Sequence, residues 1–400
     1  MIPYIEAVMK FPERFANLPE ATWPRLRGLL DVVEPGGEVI NMTIGNPMHA
    51  FPDFVPDLMA KSMAGFRDYP DNNGTPALLA SIQRWIKRRY GVELATDQIM
   101  ALNGTREGLY NAAMALCPET KNGAAPIILT PNPFYPVYGM AALSVAAEPI
   151  YVPATSETGH LPDFAALPRE VLDRTAIAYI CSPANPQGSV ASEEYWQTLL
   201  DLAETHDFVV FADECYSEIY RDTPPPGGLQ VAAAMGIDPE RIVVFDSLSK
   251  RSNLAVLRSG FCAGGPKSMA RIRQVRATAG APLPGPVQDV SAAVWDEETH
   301  VVENRALYAE KFDIADRILG NVPGYASPPA GFFLWLPVED GEEAALRLWR
   351  DTGVRTLPGA YLARDVNGEN PGKGFIRVAL VALKEDVQRG LEIIRDCIYG

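Results

Sequence analysis

Short apolar runs recur through the middle of the chain, and polar or helical stretches separate them. Seven such runs follow one another: Gln98–Leu102, Ile127–Leu129, Ile150–Val152, Ile177–Ile180, Phe208–Phe211, Ile242–Phe245 and Gly260–Ala263. Most of them contain almost no polar residue, which is typical of strands that are buried on both faces of a sheet. The pattern therefore predicts seven sheet strands.

Helical patterns lie between several of these strands. The predicted turn-helix and helical segments are Pro76–Tyr90, Asn103–Leu116, Phe134–Ala147, Ser192–His206 and Val231–Met235. Strands that alternate with helices predict an α/β fold, here a large domain with a mostly parallel seven-stranded sheet sandwiched by helices. The first of these helices ends in the basic run 87–89, which we expect to be a solvated helix end.

The pattern changes after residue 285. A long helical segment spans Val287–Leu319 with a break near Glu297, and two more strands and two more helices follow: Phe332–Leu336, Glu342–Thr352, Phe375–Leu380 and Lys384–Tyr399. This part of the chain predicts a smaller α+β domain.

Three parts of the chain are therefore expected. Residues 1–45 begin with a short helix and form an N-terminal arm and part of the small domain. Residues 46–285 form the large domain that carries the site. Residues 286–400 form an interdomain helix and the small C-terminal domain.

Composition narrows the possible functions. The net charge of −15 argues against a nucleic-acid surface, which needs a basic stripe. The five cysteines are widely spaced without a CxxC pair, and the four histidines share no metal-ligand spacing, so we expect reduced thiols and no metal site. No apolar run approaches the length of a membrane span, and the first residues lack a leader pattern. These features predict a cytoplasmic protein that binds neither membranes nor nucleic acid.

Lys250 is the most informative single residue. It lies on a turn between the apolar runs 242–245 and 260–263. A lysine held between two buried strands loses hydration, which lowers its pKa and makes its amine a nucleophile. The alternative is an ordinary charge on a surface loop, and this stretch by itself leaves both readings open.

Other polar side chains follow the predicted strands where they end. Gly104, Thr105 and Arg106 open a helix, whose free N–H groups bind anions, although a plain helix cap would have the same sequence. The further candidates are an aromatic ring that is either a stacking surface or core (Tyr135), an amide (Asn185), a carboxylate that needs a partner if buried (Asp213) and a phenol (Tyr216).

Together these groups match one ligand. Pyridoxal 5′-phosphate requires a lysine for its aldehyde, a carboxylate for its pyridine nitrogen and a clamp for its phosphate. Lys250 and Asp213 supply the first two, and Asn185 and Tyr216 would hold the ring's phenolate oxygen. The phosphate clamp would comprise Gly104, Thr105, Ser247, Ser249 and Arg258.

Six motifs follow one another along the chain: NGTRE, PNPFYPVY, SPANPQG, ADECYSEIY, SLSKRSNLAVLRSGF and FIRVALV. In these motifs and their order, the chain resembles the fold-type-I, class I/II aminotransferases from about residue 40 to its end. The resemblance implies an aspartate-aminotransferase-like fold and a lysine, Lys250, that forms the Schiff base and shuttles a proton. It also implies that Arg377 grips the substrate α-carboxylate. From the sequence alone, Arg377 could equally be an edge-strand charge.

The resemblance further implies a homodimer with shared active sites. Tyr69 matches a tyrosine that reaches the phosphate of the partner subunit's cofactor, and Gly45 matches a glycine beside the substrate carboxylate. The reaction expected is transfer of an amino group between an amino acid, with glutamate as the expected donor, and a 2-oxo acid.

The substrate is less defined than the reaction. NGTREGLY, DECYSEIY and SLSKRSN…LRSGF resemble the N-succinyldiaminopimelate aminotransferases of lysine biosynthesis. SPANPQG and the pair Ala255-Val256 depart from the more usual SPNNPTG and Pro-Gly, so these motifs do not single out one substrate. An aminotransferase of aspartate, alanine or aromatic acids, and a pyridoxal-phosphate C–S lyase, therefore remain alternatives.

Overall fold

The computed structural model describes residues 11–16 and 18–400. The short helix predicted at the start of the N-terminal arm lies largely outside the described residues. Across these ranges, no helix combines the length and the apolar character needed to cross a membrane.

The described chain contains twelve strands and fourteen α-helices. The strands are β1 (Ile40–Asn41), β2 (Ile99–Leu102), β3 (Ile127–Asn132), β4 (Glu148–Pro153), β5 (Thr175–Cys181), β6 (Val209–Asp213), β7 (Ile242–Ser247), β8 (Gly260–Gly264), β9 (Phe333–Pro337), β10 (Val354–Arg355), β11 (Leu357–Pro358) and β12 (Phe375–Ala379). The helices are α1 (Thr22–Leu30), α2 (Val55–Ser62), α3 (Pro76–Tyr90), α4 (Thr105–Leu116), α5 (Val137–Ser144), α6 (Arg169–Arg174), α7 (Glu193–His206), α8 (Gly228–Met235), α9 (Leu248–Arg251), α10 (Pro266–Ala279), α11 (Gly285–Asp296), α12 (Thr299–Leu319), α13 (Gly341–Thr352) and α14 (Lys384–Ile394).

The prediction of a mostly parallel seven-stranded sheet is confirmed. The strand order is β2-β8-β7-β6-β5-β3-β4, and β8 alone runs antiparallel to its neighbours in this sheet. All seven predicted strands are present, some of them longer at one end. The carboxyl ends of the six strands that run in one direction therefore lie along one edge of the sheet, where ligands bind in folds of this class.

Helices cover both faces of this sheet, which explains its apolar strands. In β2, Ile99 and Ala101 pack against the side that holds Trp85 and Trp295, whereas Met100 and Leu102 pack against the side that holds α4 and α5. Because successive side chains of a strand point to opposite faces, a sheet covered twice needs apolar residues at every position.

A second, smaller sheet lies in the C-terminal part. Its order is β11-β12-β9, all antiparallel, and α12, α13 and α14 contribute to the core beside it. The short strand β1 pairs in parallel with β10, so the segment at residues 40–41 is tied to the C-terminal part of the chain.

Four helices, α2, α6, α9 and α10, are absent from the sequence predictions. The first three are short, with 8, 6 and 4 residues. In α10 the buried residues are Ser268, Met269, Ile272 and Arg276, so only two of its four buried positions are apolar. An apolar stripe that is this sparse gives little periodic signal.

The expectation that the basic run 87–89 is a solvated helix end is wrong for one of its residues. The Arg89 side chain is only 11% exposed and lies 3.3 Å from Glu218. It also donates to the carbonyl oxygens of Ser217 and Pro225. The chain that follows β6 folds over the end of α3, and this long-range contact is invisible in the local sequence.

A buried arginine fixes the turn that carries Lys250. Arg251 is 1% exposed and donates to the carbonyl oxygens of Val294 (2.9 Å) and Glu297 (3.1 Å) and to the carboxylate of Glu298 (2.7 Å). These acceptors lie at the junction of α11 and α12. The one-turn helix α9 is therefore anchored to the junction between helices α11 and α12.

Arg251→Met should destabilise the protein by about 3 kcal/mol or more, because it leaves buried acceptors without their donor. Arg169→Met is the matched control, since the Arg169 side chain is 87% exposed, and its effect should stay within about 0.5 kcal/mol. Urea denaturation of both variants measures the difference. Equal midpoints would show that the anchor does not stabilise the fold.

Candidate active site

The strand ends of the large sheet meet β12 and the segment after β1 in one enclosed region. Lys250 connects these parts of the chain, because its Nζ donates to the carbonyl oxygen of Gly45, which is more than two hundred residues earlier in the sequence. The Nζ also lies 5.3 Å from the centre of the Phe332 ring. Residues from three separate parts of the chain therefore surround one amine.

Lys250 is half-buried and its amine lies against Gly45 and Phe332, so its reading as a surface-loop charge is wrong. Burial lowers the pKa of its amine to about 8, and the cationic side chains of Arg377 and Arg258 also lower it. A lowered pKa increases the fraction of neutral amine near pH 7, and only the neutral amine is nucleophilic.

Asp213 ends β6 and is buried with one oxygen unpaired. Its Oδ2 accepts a hydrogen bond of 2.7 Å from the Tyr138 hydroxyl, while its Oδ1 has no hydrogen-bond partner among the described residues. Burial raises the pKa of this carboxyl group. An unsatisfied buried oxygen is costly, which indicates that a ligand donor completes it.

Tyr138 positions Asp213, whereas the sequence predicts only an aromatic ring near the sheet edge that is either a stacking surface or core. Its ring stacks on that of Tyr179, with centres 4.5 Å apart and planes 12° apart. This stacking fixes the hydroxyl that bonds Asp213. The only sequence signal was its place in the motif that also holds Tyr135.

Gly104 and Arg258 form one side of an anion cradle. Gly104 precedes α4 with φ +80°, and a Cβ there would overlap the Arg258 guanidinium. Glycine is therefore required both by the backbone conformation and by the close approach of the cation. The first N–H groups of α4 have no acceptor within the helix, and such groups bind anions.

A thiol joins the two sides of this cradle. The Cys215 Sγ lies 3.2 Å from the Thr105 hydroxyl and 3.7 Å from the Ser247 hydroxyl. The Ser247 hydroxyl also accepts from the backbone N–H of Ser249 at 3.4 Å. The structure thus brings Thr105, Ser247 and Ser249 together. Cys215 was missed, although it lies between Asp213 and Tyr216 in the ADECYSEIY motif.

Arg106 and Tyr135 form a pair beside the cradle. The Arg106 Nε donates to the Tyr135 hydroxyl at 2.5 Å, and the Tyr135 ring lies edge-on to Tyr138 with centres 5.8 Å apart. The half-buried ring of Tyr135 therefore lies next to the tyrosine that holds Asp213. Arg106 itself is exposed, and the hydrogen bond of its Nε is to Tyr135.

Arg377 is buried in the middle strand of the small sheet. It pairs with Leu357 on one side and Trp335 on the other, so its reading as an edge-strand charge is wrong. The side chain is 4% exposed, and its Nη atoms donate to Asn185 Oδ1 (2.9 Å) and to the Thr43 carbonyl oxygen (2.7 Å).

Arg377 has no carboxylate partner within the described ranges, and its Nε forms no hydrogen bond there. Burial lowers the pKa of the guanidinium to about 10. A buried cation is expensive unless an anion pairs with it. Arg377 therefore indicates a binding site for an anionic ligand.

Two further predicted residues differ in their surroundings. Tyr216 is buried, and its ring packs edge-on to Phe332 and Phe333 with centres 5.3 and 5.9 Å apart. Tyr69, by contrast, is fully exposed on this chain. The structure therefore brings Tyr216 to the enclosed region and leaves Tyr69 at the surface.

The arrangement fits pyridoxal phosphate. The unpaired oxygen of Asp213 suits a ring N–H donor, the amine of Lys250 suits an aldehyde, and the cradle around Gly104 and Arg258 suits a phosphate. The part of the chain that the structure describes contains no group of three or more His, Cys, Asp or Glu side chains placed to hold a metal ion.

Comparison with known proteins identifies a family of enzymes that agrees with this site. A family model described as "Aminotransferase class I and II" matches residues 37–394. An aminotransferase from Neisseria meningitidis Z2491 is 36% identical, with a TM-score of 0.91 over 96% of this chain and 99% of that chain. The LL-diaminopimelate aminotransferase of Desulforudis audaxviator is 30% identical over 98% of this chain and 99% of its own length.

A third relative carries a more specific name. The Thermus thermophilus structure named "probable N-succinyldiaminopimelate aminotransferase" is 27% identical, with a TM-score of 0.81 over 94% of this chain and 97% of that chain.

Gly104→Ala should weaken pyridoxal phosphate binding by about 10- to 100-fold, because the methyl group displaces the Arg258 guanidinium from the cradle. Gly91→Ala is the matched control: Gly91 also has a positive φ, of +70°, but open space surrounds it. Titration of the apoprotein with the cofactor, followed by absorbance, gives both dissociation constants. Equal constants for the two variants would contradict the cradle.

Proposed function

The chain belongs to the class I and II aminotransferases, and from this premise we propose that it holds pyridoxal 5′-phosphate on Lys250 and transfers the amino group of glutamate to a 2-oxo acid of the diaminopimelate type. The oxo acid that we propose is N-succinyl-2-amino-6-oxopimelate. The observation that carries the proposal is a buried amine of lowered pKa, Lys250, enclosed with a buried arginine, Arg377, that has no anionic partner among the described residues.

The cofactor would be held by the groups already described. Gly104, Thr105, Ser247, Ser249 and Arg258 would bind its phosphate, with Arg106 acting through Tyr135 and with Tyr135 covering the ring. Asn185 and Tyr216 would bind the ring hydroxyl. Pyridoxal phosphate supplies, when bound, an aldehyde that reacts with amines and a ring that withdraws electrons from the substrate Cα.

Asp213 maintains the charge on which this chemistry depends. As a carboxylate, its free Oδ1 would accept from a protonated ring nitrogen of the cofactor, and the hydrogen bond from Tyr138 to Oδ2 holds the group in this orientation. A ligand cation at Oδ1 also offsets the burial that raises the pKa of this carboxyl group.

Lys250 would hold the aldehyde of the cofactor and, as a free amine, would be the base. Its Nζ would take up the proton that the substrate Cα loses. A pKa of about 8 suits this task near neutral pH, because both the neutral and the protonated amine are populated there. The contact with the Gly45 carbonyl oxygen keeps the amine within the enclosed region.

Arg377 and Asn185 orient the substrate. The free Nε of Arg377 and its Nη groups form a planar fork, which binds a carboxylate with two parallel hydrogen bonds. Asn185 ties this fork to the end of β5, so that the two sheets bind one substrate between them. We assign the α-carboxylate of both donor and acceptor to this fork.

The choice of acceptor rests on the relatives. One is named for LL-diaminopimelate and another for its N-succinyl derivative, and both names share the same long dicarboxylic skeleton. The resemblance of NGTREGLY and LRSGF to the N-succinyl group favours the acylated acceptor. Aspartate, alanine and aromatic acids, and the C–S lyase reaction, are the alternatives that a substrate panel separates.

We also propose that two copies form a homodimer with shared sites. Tyr69 is fully exposed here, which supports a role in the partner subunit's site, and Phe51, Met63 and Phe66 are further exposed apolar residues that an interface would cover. The five cysteines are free thiols within the described chain, which supports a cytoplasmic location.

Lys250→Ala should abolish the visible absorbance of the purified holoprotein and reduce turnover by about 100- to 10,000-fold, because no amine remains to bind the aldehyde or to move the proton. Lys267→Ala, on an exposed position of α10, is the matched control and should retain both. A wild-type protein that stays colourless after addition of pyridoxal phosphate would overturn the proposal.

A panel of 2-oxo acids with glutamate as donor tests the acceptor. We expect kcat/KM for N-succinyl-2-amino-6-oxopimelate to exceed that for oxaloacetate, pyruvate and phenylpyruvate by at least about tenfold, since binding of a distal group is worth more than about 1.4 kcal/mol. A higher value for one of the short or aromatic acids would reassign the substrate. Release of ammonia and a thiol from cystathionine without amino transfer would indicate the lyase.

A further inference from the structure

The segment from Gly45 to Ala50 lies against the lysine-bearing turn, and contacts at its two ends hold it there. Its backbone is irregular. At one end the Gly45 carbonyl oxygen accepts from Lys250. At the other end the Ala50 carbonyl oxygen accepts from Asn253 Nδ2 at 3.0 Å. Between these two points, His49 extends a half-buried side chain towards α12.

One amide on α12 connects this segment to the lysine-bearing turn. The Oδ1 of Asn304 lies 2.8 Å from His49 Nδ1 and 3.1 Å from Asn253 Nδ2, and its Nδ2 donates to the Lys250 carbonyl oxygen at 3.5 Å. Asn304 is itself buried. Any shift of this amide would therefore move the Gly45 segment relative to the backbone of Lys250.

These contacts define the tautomer of His49. Because Asn304 Oδ1 also accepts from Asn253, it is the acceptor for His49 and the imidazole carries its proton on Nδ1. The other ring nitrogen, Nε2, lies 2.7 Å from Lys311 Nζ. Lysine donates and does not accept when charged, so Nε2 is unprotonated and the imidazole is neutral.

The surroundings keep this imidazole neutral. Burial lowers the pKa of His49, and the nearby Lys311 lowers it further, although the bond to Asn304 acts in the opposite direction. Lys311 is 2% exposed, and its ammonium has a pKa lowered to about 8 by burial. The Tyr308 ring packs on the imidazole with centres 4.7 Å apart.

Three more charged groups face the pair across a cavity of about 320 Å³ at the surface. They are Glu310, Lys384 and Glu385. Lys384 pairs with Glu310 at 2.8 Å, and Glu385 raises the pKa of Lys311. A protonated His49 would place two cations 2.7 Å apart at Nε2, and neither Glu310 nor Glu385 forms a salt bridge with the ring in this structure.

We propose that His49 is a positioning residue for Lys250: as a neutral imidazole that donates to Asn304 beside the Lys311 ammonium, it holds the Gly45 carbonyl oxygen against the Lys250 amine. The inference rests on the proposed role of Lys250 as the cofactor-binding lysine. Protonation of His49 places a second cation beside Lys311, and the repulsion between the two releases the segment. Cofactor binding therefore weakens as the pH falls through the pKa of His49, which lies below its ordinary value.

Replacement of His49 by two residues of different chemistry tests the positioning. In His49→Asn an amide N–H takes the place of Nδ1–H and cannot titrate, whereas His49→Leu keeps the bulk and loses the donor. At neutral pH we expect His49→Leu to weaken cofactor binding by about tenfold or more and His49→Asn to stay within about threefold of wild type. Equal dissociation constants for wild type and both variants would overturn the inference.

The pH dependence separates positioning from general damage to the fold. The cofactor dissociation constant of each coloured holoprotein is measured between about pH 5 and 8. The weakening at low pH should be present in wild type and absent in His49→Asn. If His49→Asn shows the same weakening as wild type, His49 is not the group that titrates and the inference fails.

A substitution of Lys311 tests the source of the effect. Lys311→Met removes the ammonium that repels a protonated His49, so the weakening at low pH should be clearly smaller than in wild type. Lys384→Met, on the same cavity, is the matched control and should leave the weakening unchanged, because its ammonium is paired with Glu310. Weakening as large in Lys311→Met as in wild type would overturn the inference. A wild-type protein that binds no cofactor would instead overturn the proposed function.

Discussion

Removal of water from the Lys250 amine is the constraint on which the rest of the site depends. A buried lysine that stayed protonated without a partner would be costly, so the protein lowers its pKa to about 8 and surrounds it with the cations Arg377 and Arg258. Arg377 is buried without an anionic partner among the described residues, whereas Arg258 is exposed beside the cradle. The structure therefore combines an amine that favours its neutral form with two guanidinium groups suited to a carboxylate and a phosphate, and one bound ligand set would satisfy all three.

The two sheets of the protein share this requirement. The large sheet supplies Lys250, Asp213 and Asn185 at the ends of its strands, and the small sheet supplies Arg377 from its middle strand. The bond between Arg377 and Asn185 crosses from one sheet to the other. A substrate whose carboxylate binds Arg377 would therefore lie close to the Lys250 amine. The distance between Arg377 and Lys250 depends on how the two parts of the chain pack.

Rigid support lies behind each reactive group. Arg251 anchors the one-turn helix of Lys250 to the junction of α11 and α12, Tyr138 holds Asp213 through its stack on Tyr179, and Asn304 ties the turn to the Gly45 segment. Each support uses a hydrogen bond made in a buried setting, where an unpaired donor or acceptor is costly. These bonds restrict the reactive side chains without touching a ligand.

The local sequence by itself determined the strands of the large sheet, most of the longer helices and the residue types at the strand ends. Near-continuous apolar runs arise wherever a strand is covered on both faces, and parallel strands bring their ends to one edge, so Lys250, Asp213 and Asn185 were predictable as a set. Helix α10 escaped because only two of its four buried residues are apolar. Tertiary structure alone decided that Arg89 is buried, that Arg377 lies on a middle strand, that Tyr138 and Cys215 contact the functional groups and that His49 contacts Asn304. Each of these depends on a partner far away in the chain, and no local pattern records such a partner.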